Sequence, residues 1–189
     1  IIGERAFSDN ADEVIKCEKI VSQTYRENGI IPCVKHFPGH GDANADSHLT
    51  LPRIDLTLDE MQEHIEPFRA CAKTIEMVMV AHLHCTCFEK DVIPTSLSKN
   101  AISYLRNLGF HGLAISDDMI MSGADIENAC ERGIRAGLNM FIYRNSTPET
   151  IEIIEKIAEK TKTDKELQEN IEKSYEKIIK LKKLFNILL

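Results

Sequence analysis

A chain of 189 residues, 43% hydrophobic and 28% charged, has enough length for one domain with a sizeable core. Its net charge of −7, with Lys and Arg gathered after residue 155, excludes a basic nucleic-acid face, so no nucleic-acid partner is expected. The longest apolar runs, such as 77–83, are too short to span a bilayer.

Asp9-Asn10 supplies a cap for a helix over 11–28, with Val14, Cys17, Ile20, Val21 and Tyr25 on one face and Gly29 as terminator. Residues 30–37 read as a strand, and the Gly- and Pro-rich residues 38–52 as a loop. Thr57-x-x-Glu60 matches a capping box opening a helix to Lys73, which Pro67 kinks or splits. Residues 77–83 form a second strand. Ser96 or Ser98 caps a helix through Leu108, and 113–116 are the third strand. A short helix covers 126–136 and a fourth strand 140–143. Thr147-Pro148-Glu149 starts another helix, with proline where its missing N–H does no harm. Thr163-x-x-Glu166 opens the last helix (165–189), whose Leu167, Ile171, Tyr175, Ile178, Leu181 and Phe185 repeat every 3.6 residues.

Short apolar strands alternating with amphipathic helices predict an α/β fold with four to five parallel strands. Such a set is either a small doubly wound sheet or part of a (β/α)8 barrel, which takes roughly 250 residues when complete. The cysteines, Cys17, Cys33, Cys71, Cys85, Cys87 and Cys130, show no disulfide framework and suit a reducing compartment.

Two strand-to-loop junctions carry chemistry. The first strand ends on Lys35-His36 and runs into a loop holding Asp46-x-His48. An imidazole donates and accepts protons near neutrality, and Asp46 is placed to fix its tautomer and raise its basicity. The third strand ends on Asp117-Asp118, one carboxylate suited to attack and the other to capping the backbone, or both to capping. Arg5, Lys35 and His36 are candidate donors to sugar hydroxyls or an acyl carbonyl. His82-x-His84-x-x-Cys87 puts two imidazoles on one face of a strand, but no second ligand pair of recognised spacing accompanies them, so no metal is expected.

The segments Lys35-His36-Phe37-Pro38-Gly39-His40-Gly41, Asp46-Ser47-His48 and Leu51-Pro52 resemble the signature of glycoside hydrolase family 3, in its bacterial β-N-acetylglucosaminidase branch. Ile2-Gly3-Glu4-Arg5-Ala6-Phe7 and Ile115-Ser116-Asp117-Asp118-Met119 are similar to that family's preceding and nucleophile segments, and the likeness runs to about residue 145. The resemblance implies Asp117 as nucleophile, His48 as general acid/base with Asp46 orienting it, and Arg5, Lys35 and His36 as holders of an N-acetylglucosamine ring. It further implies a retaining exo-β-N-acetylglucosaminidase of peptidoglycan recycling, without cofactor, in the bacterial cytoplasm, with phosphorolysis or a non-catalytic sugar-binding fragment as alternatives. Only the later part of a TIM-like (β/α)8 barrel is matched, so residues 1–189 are expected to be one partial catalytic domain. Such a piece should dimerise or pair with a missing N-terminal half-barrel.

Overall fold

The computed structural model describes residues 2–41 and 51–187. A four-stranded sheet has the order β1-β3-β5-β6, from β1 (Cys33–Phe37), β3 (Met77–Val80), β5 (Leu113–Asp118) and β6 (Met140–Ile142). Every strand pairing in it is parallel. Between neighbouring strands the chain crosses over through α2 (Gln62–Cys71), α3 (Lys99–Asn107) and α4 (Ala129–Ala136). The architecture is α/β, as the alternation predicted. It differs in one respect: β2 (Arg53–Ile54) and β4 (His84–Cys85) form a second parallel pair. Two-residue strands carry no readable alternation, so the sequence shows only loop there.

The helix ends follow their caps closely. Asn10 Oδ1 accepts from Glu13 N at the start of α1 (Ala11–Glu27), and Ser98 Oγ accepts from Ala101 N at the start of α3. This settles Ser98 over Ser96. The Thr57/Glu60 box forms, with the Glu60 carboxylate 2.7 Å from Thr57 N, but it closes a turn that precedes α2. Pro67 lies within α2, which is not split. The last helix, α6 (Lys165–Leu184), is capped by Asp164, whose Oδ1 accepts from Leu167 N, and not by Thr163 as the sequence suggested. α5 runs Pro148–Thr161.

The main core lies where α2 and α3 cover the sheet, and contains Phe37, Phe68, Val78, Val80, Leu105 and Phe110. Each such side chain contributes about 1.5–3 kcal/mol by leaving water. Phe37 meets Phe68 edge to face at 5.4 Å. Arg106 of α3 locks the far end: it donates to Gly112 O (2.6 Å) and Asn139 Oδ1 (2.8 Å), while Asn139 Nδ2 donates to Ser174 Oγ of α6.

α1 departs from expectation. It packs on α2, and Arg26 grips Glu76 with two hydrogen bonds of 2.7 and 2.8 Å, but Ile20 and Tyr25 of its predicted buried face are exposed. On α6, Leu167 is fully buried whereas Tyr175 is exposed. A 3.6-residue stripe marks which face is apolar, not whether a neighbour exists to cover it.

The start of β5 gives a stability prediction. A Cβ at Gly112 would lie 2.2 Å from the Glu76 carbonyl oxygen and 2.7 Å from the Phe110 ring. Gly112→Ala should therefore cost about 1–3 kcal/mol by overpacking, read as a lower urea midpoint with an unchanged slope. An unmoved midpoint would contradict so close an approach.

Candidate active site

The C-terminal ends of the parallel strands β1 and β5 carry Lys35, His36, Asp117 and Asp118, at the edge of the sheet where barrel enzymes carry their chemistry. β1 brings Lys35 and His36, and its Lys35–His36 and Phe37–Pro38 peptide bonds are cis. A tight turn follows, with Gly39 N donating to His36 O (2.8 Å). Gly39 has φ +128°, and a Cβ there would sit 2.8 Å from the His64 Cβ, so a side chain is disfavoured by conformation and by space. Asp46 and His48 lie outside the described residues. Where the chain is next described, Pro52 O accepts from His84 N (2.8 Å) and Ile54 O from Thr86 N (3.1 Å), tying the return of the loop to β4.

β5 ends on the two aspartates, and their environments differ. Asp118 is occupied: Oδ1 accepts from Ile120 N (3.3 Å) and Arg144 N (3.2 Å), and Oδ2 lies 3.3 Å from Arg144 Nε. Among the described residues Asp117 Oδ1 accepts only from Asp118 N (2.8 Å), and Oδ2 stands 3.6 Å from His36 Nε2, beyond a hydrogen bond. The sequence left open which carboxylate attacks and which serves the backbone. Among the described residues, Asp118 is the backbone ligand and Asp117 the available one. Arg144, its clamp, was not singled out from the sequence; its position just past β6 is the one signal that could have found it.

Burial pushes the His36 imidazole down to about 4, against the pull of the Asp117 carboxylate; the charges of Lys35, His40 and Arg5 push in the same direction as burial. Arg5, in the 3₁₀ turn Gly3–Arg5, thus acts on the same cluster as residues far along the chain. A neutral His36 leaves the Asp117 charge unquenched. The pH consequence has a definite sign. The folded chain disfavours protonated His36 relative to its ordinary value of 6.5, so this stability is complete above that value and is lost as pH falls towards about 4. His82 and His84, also lowered by burial, act in the same direction. The melting temperature should fall between pH 6.5 and 4.5, and His36→Gln should lessen that fall; an equal fall in both proteins would contradict it.

The His82-x-His84 pair does not act as a unit. His82 Nδ1 is 2.7 Å from Ser96 Oγ, and His84 Nε2 is 3.0 Å from Glu89 O. All six cysteines are free. A cavity of about 670 Å³ beyond β5 is lined by Met119, Met121, Cys130, Tyr143 and Ile157, among others, and by none of Arg5, Lys35, His36 or Asp117. No helix among the described residues is long and apolar enough to cross a membrane.

Comparison with known proteins identifies the family and the fold. The family model described as the glycosyl hydrolase family 3 N terminal domain matches residues 1–181. A β-hexosaminidase of Idiomarina loihiensis is 30% identical over 82% of this chain and 48% of its own length. The crystal structure of the β-N-acetylglucosaminidase from Thermotoga maritima superposes with TM-score 0.81 at 28% identity, over 100% of this chain and 42% of that one. A β-glucoside phosphorylase, BglX, superposes with TM-score 0.85 at 22% identity over 97% of this chain and 36% of its own, a likeness of fold alone. The chain thus spans less than half the length of these relatives, and its sheet corresponds to part of their TIM-type barrel.

Proposed function

Since the chain belongs to glycosyl hydrolase family 3, as part of that family's N-terminal domain, we propose that it carries the catalytic residues of a retaining exo-β-N-acetylglucosaminidase. One observation bears most weight: at the end of β5, Asp118 is tied by the backbone and Arg144, while Asp117 Oδ2 is left to act. In this reading Asp117 attacks the anomeric carbon of a terminal N-acetylglucosamine. His48, oriented by Asp46, gives its proton to the departing oxygen and then takes one from the incoming water. Arg5, Lys35 and His36 hold ring hydroxyls. The substrate is a muropeptide or related glycan of peptidoglycan recycling, and the free cysteines support a cytoplasmic setting.

Among the described residues the sheet runs from β1 to β6, and the chain spans about half the length of the curated relatives, so this reading takes further sugar-binding groups from outside these 189 residues. They would be supplied by a preceding half-barrel or by a second copy of the chain.

The test is the configuration of the product. With an aryl β-N-acetylglucosaminide, proton NMR should show the β-anomer of N-acetylglucosamine first, followed by slow mutarotation; the α-anomer first would contradict a retaining mechanism. A second reading, phosphorolysis, is supported by an acid/base imidazole that, when neutral, does not repel an anion. Glycosyl phosphate forming only with added inorganic phosphate would select it. Binding of N-acetylglucosamine without turnover would select a sugar-binding module.

A further inference from the structure

Beyond β3 the chain continues as Ala81-His82-Leu83, between the strands that carry His36 and Asp117. Ala81 N donates to Phe37 O (2.9 Å) on one side, and Val80 is level with Ser116 on the other. Carrying that register forward by two residues brings His82 level with the Asp117–Asp118 segment. Its ring is fully buried. Nδ1 is held 2.7 Å from the hydroxyl of Ser96, itself fully buried, whose own N–H donates to Ala81 O. Nε2 is buried and has no hydrogen-bond partner among the described residues, although the Asp117 carboxylate and the main chain of Asp117 and Asp118 act on the ring.

These contacts select a tautomer. Burial keeps the ring neutral, so one nitrogen carries hydrogen and the other a lone pair. The Ser96 hydroxyl can rotate to donate to Nδ1, whereas main-chain carbonyls can only accept. Hydrogen on Nε2 then suits the main-chain acceptors of Asp117 and Asp118 that act on the ring. We propose that His82, held by Ser96, is a positioning residue whose Nε2–H steadies the main chain at the end of β5 and so aims the Asp117 carboxylate. This rests on Asp117 being the nucleophile. It also gives His82 a purpose that its pairing with His84 in the sequence does not suggest.

The test has two parts. The first uses the unsubstituted chain with ¹⁵N-labelled histidine, the His82 signals being assigned by their loss in His82→Gln. At pH 8 the ring should show the Nε2–H tautomer; an Nδ1–H tautomer overturns the proposal. The second measures the rate of covalent labelling by 5-fluoro-β-N-acetylglucosaminyl fluoride. Gln can place an N–H near the Nε2 position, whereas Asn reaches only as far as Nδ1. His82→Asn should label on the order of a hundredfold more slowly, and His82→Gln should recover to within about tenfold of the parent. Equal losses in both remove the positioning role while leaving the glycosidase reading intact. A parent that turns over an aryl β-N-acetylglucosaminide without being labelled ends the reading of Asp117 as nucleophile, and this role with it; in a parent without turnover the tautomer decides. Should both variants unfold on melting, the tautomer in the unsubstituted chain decides.

Discussion

Asp117→Asn should reduce turnover of any β-N-acetylglucosaminide by on the order of 10⁴-fold or more, as removal of a covalent nucleophile does. Asn is nearly isosteric with Asp, and its amide oxygen can still accept from Asp118 N–H as Asp117 Oδ1 does, so folding should survive. Lost is the negative charge that bonds to the anomeric carbon and balances the positive charge developing there. Asp118→Asn is the internal comparison, because Asp118 serves the Ile120 and Arg144 main chain and should weaken the loop more than the chemistry. Adding azide to Asp117→Gly should restore turnover, giving a glycosyl azide of inverted configuration. Full activity in Asp117→Asn, or a larger loss in Asp118→Asn, would reverse the assignment of the two carboxylates.

The second large effect is a split between leaving groups. His48→Ala should lower kcat/KM by about 10²–10⁴-fold for substrates whose leaving oxygen is a sugar or alkoxide, because that oxygen needs a proton as the bond breaks. With a 2,4-dinitrophenyl leaving group, kcat/KM should stay within about tenfold, since the phenolate departs unprotonated. The comparison must use kcat/KM, which reports formation of the glycosyl-enzyme. In the second step His48 activates water for every substrate, so kcat falls for both classes. A uniform fall in kcat/KM would assign His48 to binding and not to proton transfer. Asp46→Asn should follow the same pattern less steeply, by removing the group that orients the ring and raises its basicity.

Much of the fold was legible because its signals are local. Asn10, Ser98 and Pro148 each stand where a helix starts, and the apolar runs before Phe37, Val80 and Ser116 each became a parallel strand. The errors have physical causes as well. Asp164 took the cap expected of Thr163 because its carboxylate is also held by Arg135, a contact across 29 residues that no local pattern contains. The short β2–β4 pair left no local signal, because two-residue strands show no alternation. Ile20 and Tyr25 carry the periodicity of a buried face, yet among the described residues nothing covers them.

The site was legible in its residue types but not in its distances. Asp117 was named from a strand-end position and a resemblance; the structure adds that its neighbour Asp118 is committed elsewhere, and that His36 faces it at 3.6 Å. Arg144 and Ser96 carried no motif, since their roles exist only once β6 and the turn Thr95–Leu97 lie beside β5 and β3. Arg5 lies thirty residues before Lys35, and among the described residues its charge acts on His36.

Peptide mapping by mass spectrometry after incubation with 5-fluoro-β-N-acetylglucosaminyl fluoride is the most direct measurement. One sugar should be found per chain, esterified to the peptide that contains Leu113-Ala114-Ile115-Ser116-Asp117-Asp118, with fragmentation placing it on Asp117. A sugar on Asp118 or on any other peptide, or steady turnover with no adduct, would contradict attack by the Asp117 carboxylate.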